Sequence, residues 1–235
     1  MAHNLLIDES GLLTFPLYFG TSTCFADSIL EHGLGGQRNA EVFNIELLRE
    51  IGTRLSQIRE LVGRHSWWTE HQYILSEMCN QAMTGQLGWS GHPLDVKYER
   101  TYVSASLKTA LGYADGFGSE LVNMLHGAYN ELLRRNEFVA RHLLPLGHPL
   151  HQIFAAHCNP LVFRITAVRA SAVAAEEGED RDNQLRRMIA SRDMLPGIPT
   201  DEIWQQMNFL LLEPVPASRL QMGYPEVDGV NWIST

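Results

Sequence analysis

The sequence has little of what would place it in several large protein classes. No apolar run approaches the roughly 18 residues needed to span a bilayer, and the opening MAHNLLIDESGLL carries acids where a secretory leader has a basic stretch. A cytoplasmic protein with no membrane partner is the expectation. Cysteine is scarce: Cys24, Cys79 and Cys158 form no CxxC pair, which predicts buried or idle thiols in a reducing compartment and argues against a thiolate zinc site. Basic residues are few as well, 18 Lys and Arg against 27 Asp and Glu, and the resulting charge of −9 excludes a polyanion binder driven by net charge while leaving room for a local basic groove. GxGxxG, Walker, GxSxG and HExxH patterns are absent, which removes the common nucleotide-binding and hydrolase motifs.

What is present is an ordinary globular composition. The chain has 235 residues, 45% of them hydrophobic and 19% charged, enough for a sizeable core in one domain over 1–235. An aromatic and apolar stretch predicts a strand at 15–20, closed by the small polar run GTSTC. A short helix then carries Ala26, Ile29 and Leu30 on one face and stops at Gly33. From 41 to 83 apolar residues recur every three or four positions (Val42, Ile45, Leu48, Ile51, Leu55), which predicts an amphipathic helix followed by a second at 68–83. A Gly- and Pro-rich loop is expected at 85–97 and a strand at 98–104. Helical spacing returns at 107–137, with a break at Gly116 and Gly118.

A surface loop is expected over 142–160, which holds three prolines and four histidines, then a strand at 161–168, a solvated acidic turn at 176–180, a helix at 182–194 and a buried strand at 209–213. His142, His148, His151, His157 and Cys158 are near one another, but neither a zinc-finger nor an HExxH spacing appears, so no metal site is expected. Trp67 and Trp68 read either as a partner surface or as a plug into the core. Arg134, Arg135 and Arg141 read as a solvated helix end or a phosphate contact. Helices separated by a few spaced strands make the chain α+β.

Three segments share a character suited to one groove: 17–36, 100–115 and 205–216. Each sets small or hydroxylic residues beside aromatic ones, as needed where backbone approaches a flat ligand and rings stack on it. The run Leu17-Tyr18-Phe19-Gly20-Thr21-Ser22 with Ile29-Leu30-Glu31-His32-Gly33-Leu34, then Tyr102, Ala110 and Tyr113, then Pro214-Val215-Pro216, resembles the ADP-ribosyltransferase superfamily of poly(ADP-ribose) polymerase catalytic domains, bacterial mono-ADP-ribosylating toxins and RNA 2′-phosphotransferases. The resemblance covers most of the chain and leaves 41–97 as a helical insertion.

The resemblance implies an ADP-ribosyltransferase-like fold with a split, mostly antiparallel sheet, NAD as co-substrate, and a macromolecular acceptor, protein or nucleic acid, as for a toxin or defence effector with a neutralising partner protein. It implies that Gly20 offers its backbone to the nicotinamide carboxamide and that Tyr102 and Tyr113 sandwich the ring, with Thr21, Ser22, Ser104 and Ser106 as hydroxyls nearby. Two positions depart from the family. Phe19 stands where the resemblance implies a histidine for the adenosine ribose, and Asn208, with Gln206 two residues before it, stands where it implies a glutamate. A neutral amide supplies no full negative charge for a cationic transition state, so a nearby carboxylate is needed. Glu213 is five residues beyond Asn208, about 17 Å along a strand, which leaves Glu202 as the better candidate. A second reading is a degenerate transferase fold that binds a nucleotide, ADP-ribose or a protein. A third is RNA 2′-phosphotransfer, for which the matching segments supply only Arg38 and Arg100 as basic groups.

Overall fold

The computed structural model describes residues 6–58, 67–80, 100–176 and 178–233. Strand β1 (Leu17–Ser22) leads into helix α1 (Thr23–His32), which ends where Gly33 takes a positive φ of 80°. Helices α2 (Ile45–Ser56) and α3 (Trp67–Asn80) follow, then strand β2 (Tyr102–Ser104) and helices α4 (Leu107–Tyr113) and α5 (Glu120–Arg135). The break between α4 and α5 falls at Gly116 and Gly118, both with positive φ, as their position predicts. The loop expected at 85–97 lies outside the described residues, as does the start of the strand expected at 98–104.

The region 142–160 is not a plain loop. Helix α6 (Glu137–Leu143) runs into its start and helix α7 (Pro149–Ala155) lies within it. Asn136 caps α6 through a bond from the Val139 N–H, Pro149 opens α7 at a position where its missing N–H costs nothing, and Leu144 and Leu150 are buried. His148 accepts from the Leu150 N–H and His151 lies 3.2 Å from the Leu144 carbonyl, so these histidines serve helix ends. Strand β3 (Pro160–Ile165), the short strand β4 (Val173–Ala175), helices α8 (Arg181–Met194) and α9 (Thr200–Ile203), strand β5 (Asn208–Leu211) and the hairpin of β6 (Leu220–Glu226) and β7 (Gly229–Trp232) complete the chain.

The seven strands form one antiparallel sheet in the order β4-β5-β2-β1-β3-β6-β7. The molecule is therefore α+β, but the sheet is continuous where a split one was expected. Its thinnest link is between β1 and β2, which share one register pair, Tyr18↔Ser104, whereas β1 and β3 are paired along all of β1. Beyond Tyr18, β1 and β2 share no further register pair among the described residues.

One sheet face carries Leu17, Val103, Phe163, Ile165 and Phe209 into a core shared with α8 and Trp204. Leu17, Phe163 and Phe209 are fully buried, each contributing about 1.5–3 kcal/mol of transfer free energy. A second core lies among α2, α3, α5, α6 and α7, with Phe25 of α1 inserted into it. Trp67 and Trp68 pack against this helical core, Trp67 so closely over α5 that a Cβ on Gly127 would collide with its indole. Arg134 and Arg135 pair with the buried Glu131, and Arg141 pairs with Glu137.

Cys24 and Cys158 are not idle thiols. They form a disulfide with their Cα atoms 5.4 Å apart, although 134 residues separate them in sequence. The ladder between β1 and β3 ends at Ser22↔Pro160 and so delivers both cysteines to one junction, which is also tied by the Thr23 N–H to Asn159 carbonyl bond of 2.9 Å. Among the described residues no helix is long and apolar enough to cross a membrane.

Candidate functional site

The cleft lies on the sheet face opposite the sheet core. Side chains alternate along a strand, so Gly20 shares the face of Tyr18, Tyr102 that of Ser104, and the pairs Tyr18↔Ser104 and Ser104↔Asn208 carry the same face across three strands. Ala175 pairs with Phe209, so the next residue of that chain, Glu176, comes level with Asn208. A cleft of about 370 Å³ opens over this row, where β1 and β2 part, with Gly20, Tyr102, Ser104, Tyr113, Glu176 and Asn208 among its lining.

Gly20 is where α4 meets the sheet. A Cβ there would overlap the Ala110 carbonyl oxygen and stand 2.9 Å from the Ala114 nitrogen. The missing side chain lets α4 lie on the strand, and that contact sets Tyr113, the last residue of α4, at the cleft wall. Helix α4 is itself pinned at its start: Ser106 caps it through the Thr109 N–H, and the Asp201 carboxylate accepts from the backbone N–H groups of Leu107 and Lys108. Tyr113 is 52% exposed and lines the cleft. Partial burial between the cleft walls raises its phenol pKa, and the negative potentials of Glu176 and Glu120 raise it further.

Asn208 has three distinct bonding positions. Its backbone carbonyl accepts from Gln184 Nε2 of α8 at 2.8 Å, with the Gln184 side chain buried. Its Nδ2 donates to Glu176 Oε2 at 2.8 Å. Its Oδ1 is buried with no partner among the described residues. The amide is therefore fixed by its strand and by a carboxylate, leaving one acceptor for a ligand hydroxyl or amide.

The carboxylate beside Asn208 is thus Glu176, not Glu202. Glu202, on α9, is not among the cleft residues; it pairs with Lys108 at 2.9 Å and accepts from Gln205 Nε2. Gln206 is exposed and also outside the cleft lining. Phe19 borders the cleft, but its ring packs against the sheet core, on the face opposite Gly20. Thr21 is buried and lines the cleft, whereas Ser22 donates its hydroxyl to the Phe117 carbonyl at 2.6 Å and holds the 115–119 turn against β1. Ser104 accepts from the Ser106 N–H at 3.1 Å. Tyr102 is half-buried in the floor. The structure therefore brings Gly20, Thr21, Tyr102, Ser104, Tyr113 and Asn208 together and leaves Ser22, Glu202 and Gln206 outside.

Two cationic groups also belong to the lining. The Arg38 guanidinium donates to Thr101 Oγ1 and lies 5.3 Å over the Phe43 ring, and burial lowers its pKa from the ordinary value. Arg100 is the second. Glu120, the first residue of α5, is the further carboxylate of the lining, and desolvation by the cleft walls raises its pKa. The cleft thus offers carboxylates, a phenol, two guanidinium groups and apolar side chains in one lining, suited to a ligand that carries charges of both signs. Among the described residues no group of three or more metal-ligating side chains is present.

No family model matches the chain, and neither curated proteins nor solved structures give a match.

Proposed function

We propose that the chain is an ADP-ribosyltransferase that moves ADP-ribose from NAD to a macromolecule, protein or nucleic acid, on an ADP-ribosyltransferase-like fold. The observation that carries this reading is the Glu176 carboxylate, hydrogen-bonded to Asn208 in the same cleft as Gly20, Tyr102 and Tyr113. It supplies the negative charge that the amide at 208 lacks.

The residues present suit NAD as a substrate. Tyrosine faces stabilise a cationic pyridinium by up to about 2 kcal/mol when water is excluded, and the stretch of β1 beyond Tyr18, which shares no register pair with β2, offers peptide groups to its carboxamide. Asn208 Oδ1, buried and unpartnered, accepts a ribose hydroxyl, while Arg38 and Arg100 supply positive charge for the diphosphate. In the transfer, the bond between ribose carbon and nicotinamide nitrogen breaks with its electron pair going to nicotinamide. A lone pair of the acceptor closes the new bond to that carbon, and the acceptor gives up a proton. Glu176 lowers the barrier by facing the positive charge that develops on the ribose.

A toxin or defence effector acting in the cytoplasm, where NAD and macromolecular acceptors meet, is the setting this activity fits, with a neutralising protein as a further partner. A second reading, a transferase fold retained as a binding module for a nucleotide, ADP-ribose or a protein, is favoured by the amide at 208 and the phenyl ring at 19. Incubation with NAD labelled in the nicotinamide and in the adenine, in the presence of a cell extract, separates the two. Nicotinamide release with adenine label in protease- or nuclease-sensitive polymer supports transfer. NAD binding without release at stoichiometric protein supports the binding module.

A further inference from the structure

The cleft's two carboxylates differ in their engagement. Glu176 is bonded to Asn208, whereas Glu120 has no hydrogen bond or ion pair among the described residues. Its backbone is nonetheless held firmly. Ser119 caps α5 through the Val122 N–H, Phe117 donates its N–H to Asn123 Oδ1, and Gly118, at a φ of 67°, lies so close to Thr21 and Ser22 that a Cβ would overlap their peptide. Glu120 is exposed, lines the cleft and acts electrostatically on Tyr113, the proposed stacking ring, so its carboxylate is reachable by an incoming molecule.

We propose that Glu120 is the base that receives the acceptor's proton during transfer, a role that rests on the ADP-ribosyltransferase reading of the cleft. As the acceptor's lone pair bonds to the ribose carbon, the acceptor's bond to hydrogen breaks, its electron pair stays on the acceptor atom, and the proton passes to the Glu120 carboxylate. Nicotinamide leaves with the glycosidic electron pair, so charge and atoms balance without a further reactant. Partial desolvation by the cleft wall strengthens the solvent-reachable Glu120 as a base, and the other charged and titratable groups that line the cleft are Tyr18, Tyr102, Tyr113, Glu176, Arg38 and Arg100. A carboxylate on a firmly held backbone, with no partner among the described residues, has no structural bond to give up when it takes a proton.

The test uses the full chain, Glu120→Gln and Glu120→Asp with doubly labelled NAD and a cell extract, reading nicotinamide release and polymer-bound label at a series of pH values. Departure of nicotinamide needs no base, and water traps the ribose without one. Glu120→Gln therefore retains release but loses polymer label per nicotinamide released by about 100-fold, Glu120→Asp recovers part of it, and the decline of that ratio on acidification seen in the wild type disappears in Glu120→Gln. Wild-type partitioning and pH dependence in Glu120→Gln would overturn the role of Glu120 alone. Absence of nicotinamide release by the wild-type chain would overturn the transferase reading and this proposal together.

Discussion

The Cα of Gly20 lies against the carbonyl of Ala110, with the carbonyl carbon 2.7 Å from where a Cβ would stand. One missing methyl group thus sets the depth of α4 on the sheet and, through α4, the position of Tyr113. Gly20→Ala should force the helix outward and destabilise the protein by about 1–3 kcal/mol, as an overpacked core does. Urea unfolding of the two proteins measures the cost; an unchanged midpoint would mean that α4 does not rest on β1.

Tyr113→Ala removes a half-exposed ring from the cleft wall. It should weaken NAD binding by about 1–2 kcal/mol, roughly 5- to 30-fold, while stability shifts by no more than about 0.5 kcal/mol. Calorimetric titration with NAD and an unfolding curve give the two numbers. Unaltered affinity would place the nicotinamide elsewhere.

The disulfide closes a chain of 134 residues between Cys24 and Cys158. Reduction, or Cys24→Ser with Cys158→Ser, should lower stability by about 2–5 kcal/mol. Folding should survive, because the ladder of β1 with β3 and the bond from the Thr23 N–H to Asn159 hold the same junction. Unfolding curves with and without a dithiol measure the loss, and native gels monitor the fold. No change on complete reduction would show that the pair contributes nothing to stability.

His126 lies among Phe117 and Phe154, its ring 5.0 Å and 4.9 Å from theirs, and burial lowers its pKa below the ordinary 6.5. The folded chain therefore binds this proton less readily than the unfolded chain. Its contribution to stability is full above the ordinary value and is lost as pH falls below it. Between about pH 7.5 and about pH 5, His126→Phe should lose less stability than the wild type, since it keeps an aromatic ring and removes the titration. Parallel losses in the two proteins would assign the acid sensitivity to other groups, among them His148, whose pKa burial also lowers.

Local chemistry made much of this legible. The aromatic run before GTSTC, the glycines at 116 and 118, the apolar spacing of α2 and the strand expected at 161–168, which ends at Ile165, all correspond to observed elements, because each has a short-range cause. The missed strands have another origin. Strand β4 is three small residues whose pairing with β5 defines it, and β6 contains Gly223 and Pro225, which argue against a strand until the Trp232 ring is seen over the glycine. Glu176 was hidden for a related reason. Within EEGED it reads as one acid of a solvated turn, and only the register of Ala175 with Phe209 brings it level with Asn208. Glu202 is near Asn208 in sequence, but the short helix α9 turns it toward Lys108. The disulfide, too, depends on a ladder between segments far apart in the chain.

In the proposed transferase the role of the Glu176 carboxylate is to take the part of the charge missing from position 208. Its most direct test is the single-turnover rate of nicotinamide release from NAD by the wild type and by Glu176→Gln, with NAD affinity measured beside it. Glu176→Gln should lower the rate by about 100- to 1,000-fold with affinity changed by less than about threefold, the pattern of a group acting on the transition state. Release at the wild-type rate from Glu176→Gln would contradict it.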